Sequence, residues 1–224
     1  MITTVLLDIS GTVVRSGGFE AVFHRVYREV LGVEVSAESV RTNTGRKKAE
    51  LFTDVVAEHT PQRVDEPELI GRMTDAFDAF MLEAITADPP PVLEGVPEAL
   101  AALAEAGIAV GYVTGFAREP ALRLLEVSGL DYAVLVGSDE IERGRPAPDL
   151  IHEAMRRLSL SDPAVVAYAG DTPGDIASGL AAKCGRVYGL TCGAHDCDEL
   201  EAAAHGTPAI VVGSLREAAQ DLLG

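Results

Sequence analysis

The sequence predicts an α/β protein, a doubly wound parallel sheet with an inserted α-helical cap domain. Short, nearly continuous apolar runs recur along the 224 residues, and helical patterns separate most of them. This alternation is typical of a parallel sheet covered by helices on both faces. One long helical stretch without a strand interrupts the alternation after the first run, which indicates an insertion.

Six apolar segments predict the strands of the sheet. The first covers residues 5–7 and stops at Asp8, where a turn at 10–12 follows. The runs are short and bounded by turn residues, as expected of buried strands. The other five strands are predicted at 109–113, 133–136, 165–169, 186–190 and 209–212, with helices at 97–106, 119–127, 148–158 and 175–182.

Residues 16–87 predict the inserted cap. Apolar residues at helical spacing predict a helix over 19–31, Ser36 with Ser39 beyond it indicates a second helix start, and a longer helix is expected over 66–85. The three prolines of 89–91 form a stiff linker that cannot continue a helix. We therefore expect a core of residues 1–15 and 92–224 and a cap of 16–91.

Composition excludes several partner classes. Eighteen basic against thirty-five acidic residues give a net charge of −17, a surface that repels phosphate backbones and anionic lipid. No apolar run has the length of a membrane helix, and no basic leader opens the chain. We therefore expect no nucleic acid and no membrane partner. Three cysteines do not make a disulfide framework, which favours a cytoplasmic location.

Polar side chains follow four of the predicted strands or their connections. Ligands in open α/β sheets collect at the carboxyl ends of the strands. Each motif alone is also compatible with a turn or a helix cap. Together they place carboxylates, a hydroxyl and a cation around one crevice, which suits a divalent cation and a phosphate-like group. The motifs lie at 8–12, 114–116, 144–146 and 170–175.

The set and order of these motifs resemble the haloacid dehalogenase (HAD) superfamily of Mg²⁺-dependent phosphohydrolases. The resemblance covers essentially the whole chain and implies a Rossmann-like core, with residues 16–91 as the α-helical cap of subfamily I. It implies Asp8 as the nucleophile that forms an aspartyl-phosphate, Thr114 as a ligand of a phosphoryl oxygen and Arg145 as the third-motif cation. The implied cofactor is Mg²⁺, held by Asp8, the Ser10 backbone carbonyl, Asp171 and Asp175.

Physical chemistry is consistent with those implied roles. A carboxylate that attacks a negatively charged phosphorus needs that charge neutralised, which a divalent cation and Arg145 would do. Gly11 leaves room for backbone N–H groups near the transferring group. Ser10, Gly11 and Gly115 are accordingly predicted to bind the substrate.

Ser10 departs from the usual phosphatase pattern, which carries a second Asp two residues after the nucleophile. A hydroxyl is a poor general acid near pH 7, because its pKa is too high to protonate an alkoxide leaving group. The leaving group therefore needs no strong acid, or the acid comes from elsewhere, or turnover is slow.

One branch of the superfamily, the phosphonatases, carries a small Ala at that position and cleaves a carbon–phosphorus bond through an imine. Local stretches at 11–14, 114–119, 144–146 and 170–172 are similar to that branch. In the cap, residues 45–48 put Lys48 where the imine lysine aligns, and Arg46 and Lys47 are predicted to bind substrate. A cap lysine can also bind an anion without an imine, or lie on a solvated helix face.

We therefore expect a hydrolase of a small phosphate or phosphonate, phosphonatase-like, with a conventional phosphatase such as one acting on phosphoglycolate as the alternative. A catalytically weak ligand-binding or regulatory protein is a second alternative, since Ser10 removes the usual acid. The sequence leaves the oligomeric state open, a homodimer included. A weaker candidate is a zinc site, because its spacing is not a standard zinc pair. It would comprise Cys184, Cys192, His195 and Cys197.

Overall fold

A computed structural model describes residues 1–16, 18–42 and 45–224. Its centre is a six-stranded sheet in which every neighbouring pair is parallel. The order is β3-β2-β1-β4-β5-β6, so the first strand lies between the second and the fourth. The strands are β1 (Thr4–Leu7), β2 (Ala109–Val113), β3 (Val134–Val136), β4 (Val166–Gly170), β5 (Arg186–Leu190) and β6 (Ile210–Val212). All six predicted strands are confirmed.

Helices cover both faces of the sheet. Alternate residues of a strand point to opposite faces, and β1 follows this rule. Outside the insertion, the helices are α5 (Val96–Glu105), α6 (Arg118–Ser128), α7 (Asp149–Arg157), α8 (Pro173–Ala181), α9 (Cys197–Ala204) and α10 (Leu215–Leu223). Val5 and Leu7 pack into the larger apolar cluster with α5 and α10, whereas Leu6 packs into a second cluster with α7. The predicted doubly wound architecture is therefore confirmed.

In the described part of the chain, four α-helices lie between β1 and α5, within the predicted insertion. They are α1 (Phe19–Val26), extended by a π-helical turn (Tyr27–Leu31), then α2 (Ala37–Thr42), α3 (Lys48–His59) and α4 (Leu69–Ala87). The Ser36 hydroxyl accepts a hydrogen bond from the Ser39 N–H at 3.1 Å, as the sequence predicts for a helix start. Helix α4 begins three residues later than expected because Glu68 has a left-handed backbone (φ 62°).

The two connections between insertion and sheet lie side by side. Val14 and Val92 form an antiparallel bridge, and the Arg15 N–H donates to the Pro91 carbonyl at 3.0 Å. Helix α4 ends at Ala87, directly before the proline run. This pairing supports our proposal that residues 16–91 form a cap that is joined to a core of 1–15 and 92–224 at one place.

In the described part of the chain, no helix combines the length and the apolar character needed to cross a membrane.

Candidate active site

A cavity of about 240 Å³ lies between the carboxyl edge of the sheet and the cap. It is smaller than the roughly 300–1,000 Å³ of typical ligand pockets, which limits it to a small substrate. The core lines it with Asp8, Ser10, Thr114, Gly115 and Asp171, among others. The sheet explains this meeting, because β1, β2 and β4 are neighbours and all end at this edge. The cap contributes Lys48 with Phe19, Phe23 and Arg41.

Arg145 holds the Asp8 carboxylate. The Arg145 side chain is buried, its Nη2 lies 2.8 Å from Asp8 Oδ1, and the same nitrogen donates to the Val113 carbonyl at 2.8 Å. Burial raises the pKa of Asp8 to about 6, although the Arg145 charge opposes that rise. Asp8 is therefore largely ionised at pH 7 and is directed into the cavity.

Asp175 supports Arg145 from behind. Its Oδ1 lies 2.9 Å from Arg145 Nε and accepts a hydrogen bond from the Tyr168 hydroxyl at 2.5 Å. Its Oδ2 accepts hydrogen bonds from the Thr172 hydroxyl and N–H at 2.6 and 3.1 Å. Both oxygens therefore have protein partners, which place Asp175 against Arg145 and at the start of α8. That Asp175 ligates a metal stays a prediction.

Asp171 is enclosed by backbone. Its Oδ2 accepts a hydrogen bond from the Ala194 N–H at 2.7 Å. Gly11 and Gly193 approach so closely that a Cβ on either would overlap the Asp171 carboxylate. Gly11 also has a φ of +84°, which favours glycine. These two glycines thus fix Asp171 against the turn that follows Asp8.

The residues here fit Mg²⁺. Burial raises the pKa of Asp171 well above its usual range, and the charge of Asp8 raises it further. Two buried carboxylates that repel each other favour a cation between them, and hard oxygen donors are those Mg²⁺ prefers. Among the described residues, no cluster of three or more His, Cys, Asp or Glu side chains forms a metal centre. Asp8, Asp171 and the Ser10 carbonyl would therefore share the ion with water and substrate oxygens.

Lys48 is a buried amine at the cap side of the cavity. Lys48 is only 3% exposed. Its Nζ donates hydrogen bonds to the Arg46 carbonyl at 2.8 Å and to the Gly115 carbonyl at 3.3 Å. Burial lowers the pKa of Lys48 to about 7, and the Asp8 charge only partly offsets this effect. A substantial fraction of Lys48 is therefore neutral near pH 7, the form that adds to a carbonyl.

Aromatic rings surround that amine. The ring centroids of Phe23, Phe77 and Phe116 lie 5.3, 5.3 and 5.2 Å from Lys48 Nζ. The rings exclude water from the amine, which is the physical cause of its low pKa. Phe116 belongs to the second motif of the core, so the enclosure is completed by both parts of the chain.

The structure does not bring Arg46 and Lys47 into the cavity. Arg46 Nη2 lies 2.6 Å from Asp54 Oδ2. Lys47 Nζ donates to the Ile141 and Glu142 carbonyls at 2.6 and 3.0 Å. The predicted substrate contacts of these two cations are not supported, because both side chains bind protein groups outside the residues that line the cavity.

Arg41 is a site residue that sequence reasoning missed. It lines the cavity from α2, and its Nη1 donates to both carboxylate oxygens of Glu199 on α9 at 3.1 Å. Glu199 also lies 3.1 Å from His195 Nδ1. No motif surrounds Arg41 in the sequence, so only the packing of α2 beside the cavity reveals it. Glu20 lines the same cavity and was missed for the same reason.

The three cysteines lie in different surroundings. Cys184 packs against apolar side chains below α7 and α8. Cys192 Sγ donates to the Gly11 carbonyl at 3.4 Å, and Cys197 Sγ lies 3.3 Å from Glu201 Oε1 on α9. The described residues therefore give no support to a shared zinc site.

Comparison with protein families gives a match over residues 2–183 to the family described as haloacid dehalogenase-like hydrolases. That range runs from β1 beyond α8 and includes all four motifs. The chain belongs to the haloacid dehalogenase-like hydrolases. It is therefore a hydrolase, and the resemblance predicted from the motifs is confirmed.

Among curated HAD-like proteins, the chain is similar to phosphonoacetaldehyde hydrolases. One from Parabacteroides distasonis is 27% identical over 229 residues, an alignment that covers 93% of this chain and 83% of that protein. Another from Bacillus cereus is 27% identical over 195 residues and covers 80% of this chain and 72% of its own.

Solved structures share the fold of this HAD-like hydrolase. A phosphonoacetaldehyde hydrolase-like protein from Oleispira antarctica has a TM-score of 0.79 at 22% identity and covers 99% of this chain and 92% of its own. A predicted phosphoglycolate phosphatase from Haemophilus somnus also has a TM-score of 0.79, at 18% identity, with 99% and 98% covered. The fold is thus common to both activities named, and the site must distinguish them.

Proposed function

We propose that this hydrolase cleaves the carbon–phosphorus bond of a small phosphonate that carries an aldehyde, with phosphonoacetaldehyde as the first candidate. The buried Lys48 amine, which lines the same cavity as Asp8, carries the proposal. The curated relatives named phosphonoacetaldehyde hydrolase support it. A phosphatase of simple esters needs no buried neutral amine beside its nucleophile.

The first step is imine formation at Lys48. The neutral Nζ adds to the aldehyde carbon, and uptake of one proton with loss of one water leaves a protonated imine. The aromatic enclosure favours the neutral amine before addition. The Gly115 carbonyl, 3.3 Å from Nζ, accepts a hydrogen bond from the nitrogen and orients it.

The second step is attack by Asp8 on phosphorus. A carboxylate oxygen of Asp8 forms the new P–O bond while the C–P bond breaks. The electron pair of the C–P bond moves into the imine and gives an enamine. Arg145 keeps the Asp8 oxygen aligned through the 2.8 Å contact, and Thr114 binds a phosphoryl oxygen. Asp8, Asp171 and the Ser10 carbonyl would hold Mg²⁺, which would supply positive charge beside the phosphoryl oxygens.

Water completes the reaction. It hydrolyses the aspartyl-phosphate, which releases phosphate and regenerates Asp8. The enamine takes a proton at the carbon that held phosphorus. A second water hydrolyses the resulting protonated imine, which releases acetaldehyde, neutral Lys48 and the proton that was taken up in imine formation. One water is consumed overall, since imine formation released one.

Ser10 fits this reaction better than ester hydrolysis. An alkoxide leaving group needs a proton from an acid, whereas the departing carbon electron pair is accepted by the imine. Ser10 lines the cavity beside Asp8 but has no acidic proton to give near pH 7. The missing acid is therefore compatible with carbon–phosphorus cleavage without a substitute.

Phosphate release tests the proposal. Purified enzyme is assayed with phosphonoacetaldehyde and with phosphoglycolate, with Mg²⁺ and with a chelator, for the wild type, Asp8→Asn and Lys48→Met. We expect Mg²⁺-dependent release from phosphonoacetaldehyde that both substitutions abolish. Release from phosphoglycolate alone, insensitive to Lys48→Met, would instead show a conventional phosphatase. Release from no substrate would favour the ligand-binding role.

A further inference from the structure

Lys47, which directly precedes α3, and Lys48 and Glu50 in its first turn project their charged side chains in two directions. Lys48 points into the cavity, whereas Lys47 and Glu50 face the core segment 141–144, which precedes Arg145. Neighbouring residues of a helix project in different directions, so one turn can serve both purposes. The contacts of Lys47 and Glu50 with segment 141–144 can therefore hold Lys48 in its position in the cavity.

These contacts are short and use backbone groups of the segment. Lys47 Nζ donates to the Ile141 and Glu142 carbonyls at 2.6 and 3.0 Å. Glu50 Oε1 accepts a hydrogen bond from the Gly144 N–H at 2.8 Å. The Lys47 ammonium thus binds two carbonyl groups of segment 141–144, and the Glu50 carboxylate binds one N–H group of it. Hydrogen bonds in which one partner is charged are stronger than those between neutral groups.

Close approach at this interface requires glycine. A Cβ on Gly144 would lie 2.5 Å from Lys47 Cβ, nearer than real Cβ atoms come to other atoms. A Cβ on Gly115 would likewise overlap the Gly45 carbonyl oxygen. The turn before α3 therefore rests on two core glycines, one in each of the second and third motifs.

We propose that Lys47 and Glu50 are positioning residues that dock the first turn of α3 on segment 141–144 and so hold Lys48 in the cavity. The inference rests on the proposed function, in which Lys48 reacts with the substrate. Lys47, predicted to bind substrate, acts instead on the cap–core contact. Neither residue touches the reacting atoms.

Chemical labelling of Lys48 tests the docking without any substrate. Acetic anhydride modifies exposed neutral amines, and peptide mass spectrometry measures the rate at Lys48. In the wild type we expect slow labelling, because the residue is 3% exposed. Lys47→Met and Glu50→Ala should each raise the rate about tenfold, equivalent to about 1.4 kcal/mol in the docking equilibrium.

Three further variants separate docking from folding. Glu50→Gln keeps an oxygen acceptor for the Gly144 N–H and should label at the wild-type rate. Gly144→Ala removes no hydrogen-bonding group, yet it should label faster because its Cβ keeps Lys47 away. Arg143→Gln is the matched control, since Arg143 is in the same segment but pairs with Asp149 at 2.7 Å, away from the cap. It should label as the wild type does.

The inference would be overturned if Lys47→Met and Glu50→Ala both labelled at the wild-type rate. It would also be overturned if Arg143→Gln labelled as fast as those two variants are expected to label. Melting temperatures of all variants identify any that are unfolded. Turnover of phosphonoacetaldehyde is measured in parallel, and kcat/KM should fall in Lys47→Met and Glu50→Ala but not in Arg143→Gln. If the wild type does not turn over that substrate while the labelling pattern holds, the proposed function fails and the docking stands.

Discussion

Lys48 is the residue at which stability and activity conflict. Its pKa is lowered to about 7 from the ordinary 10.5 because burial disfavours the ammonium. The folded state therefore binds fewer protons than the unfolded state between these two values. Stability consequently rises with pH through that window, and the penalty for burying Lys48 is fully present below pH 7.

Lys48→Met should accordingly stabilise the protein, by a few kcal/mol below pH 7 and by much less near pH 10. The reason is that Met fills a similar volume without an amine to desolvate. Urea unfolding at both pH values measures the difference from the wild type. A Lys48→Met variant less stable than the wild type at pH 6 would contradict the account of this buried amine.

Ser10→Asp tests the argument about the missing acid. The carboxyl would stand beside Asp8 and Asp171, whose charges raise its pKa and allow it to hold a proton. We expect hydrolysis of phosphoglycolate to increase about tenfold or more, since general acid catalysis contributes at least that much. Phosphate release measures it, with Ser10→Asn as the uncharged control. Equal ester hydrolysis by both variants would contradict the prediction.

At the scale of elements, α2 and α9 meet at the cavity through Arg41 and Glu199. This pair joins the cap to α9 of the core, whereas the contacts at the start of α3 join the cap to segment 141–144. Its side chains are 35% and 33% exposed, so solvent weakens the pair without removing it. We infer that it holds α2 against α9 while substrate is bound.

Arg41→Gln and Glu199→Gln should therefore each raise KM for phosphonoacetaldehyde several-fold and change kcat less. The double variant should resemble either single one, since both remove the same contact. Steady-state kinetics measures this, and Arg156→Gln is the matched control because its pair with Glu153 is on the exposed face of α7. Additive losses in the double variant would show that the two residues act separately.

Elements were predicted from the sequence with more success than side-chain directions. The six strands follow from short apolar runs, most of whose residues are buried, and the four motifs follow from the ends of those strands or from their connections. The directions of Arg46, Lys47 and Lys48 depend on how α3 docks on the core, which local sequence does not encode. The hydrogen bonds that both Asp175 oxygens accept from protein donors also depend on tertiary structure, as does the position of Arg41 at the cavity. Neither could be predicted from the sequence.

At the scale of the whole molecule, the protein is acidic, whereas its proposed site has to bind an anionic substrate. The chain has a net charge of −17, and Asp8 and Asp171 are buried close to the Arg145 cation. An anionic substrate therefore depends on added positive charge in the cavity. Mg²⁺ would supply it and would also relieve the repulsion between the two carboxylates.

Mg²⁺ should consequently raise the melting temperature. Saturation at about a hundred times the dissociation constant corresponds to roughly 2.7 kcal/mol of stabilisation. Thermal unfolding with Mg²⁺ and with a chelator measures this, and Asp171→Asn should remove most of the shift. The same shift in that variant would place the ion elsewhere.

The central claim is that Lys48 forms an imine with the substrate, and borohydride trapping tests it most directly. Enzyme is incubated with phosphonoacetaldehyde, reduced with borohydride, digested and analysed by peptide mass spectrometry. We predict a reduced adduct on Lys48, loss of activity in proportion to it, and trapping that rises as pH increases through about 7. Turnover of phosphonoacetaldehyde that borohydride does not inhibit, with no adduct on Lys48, would contradict the account.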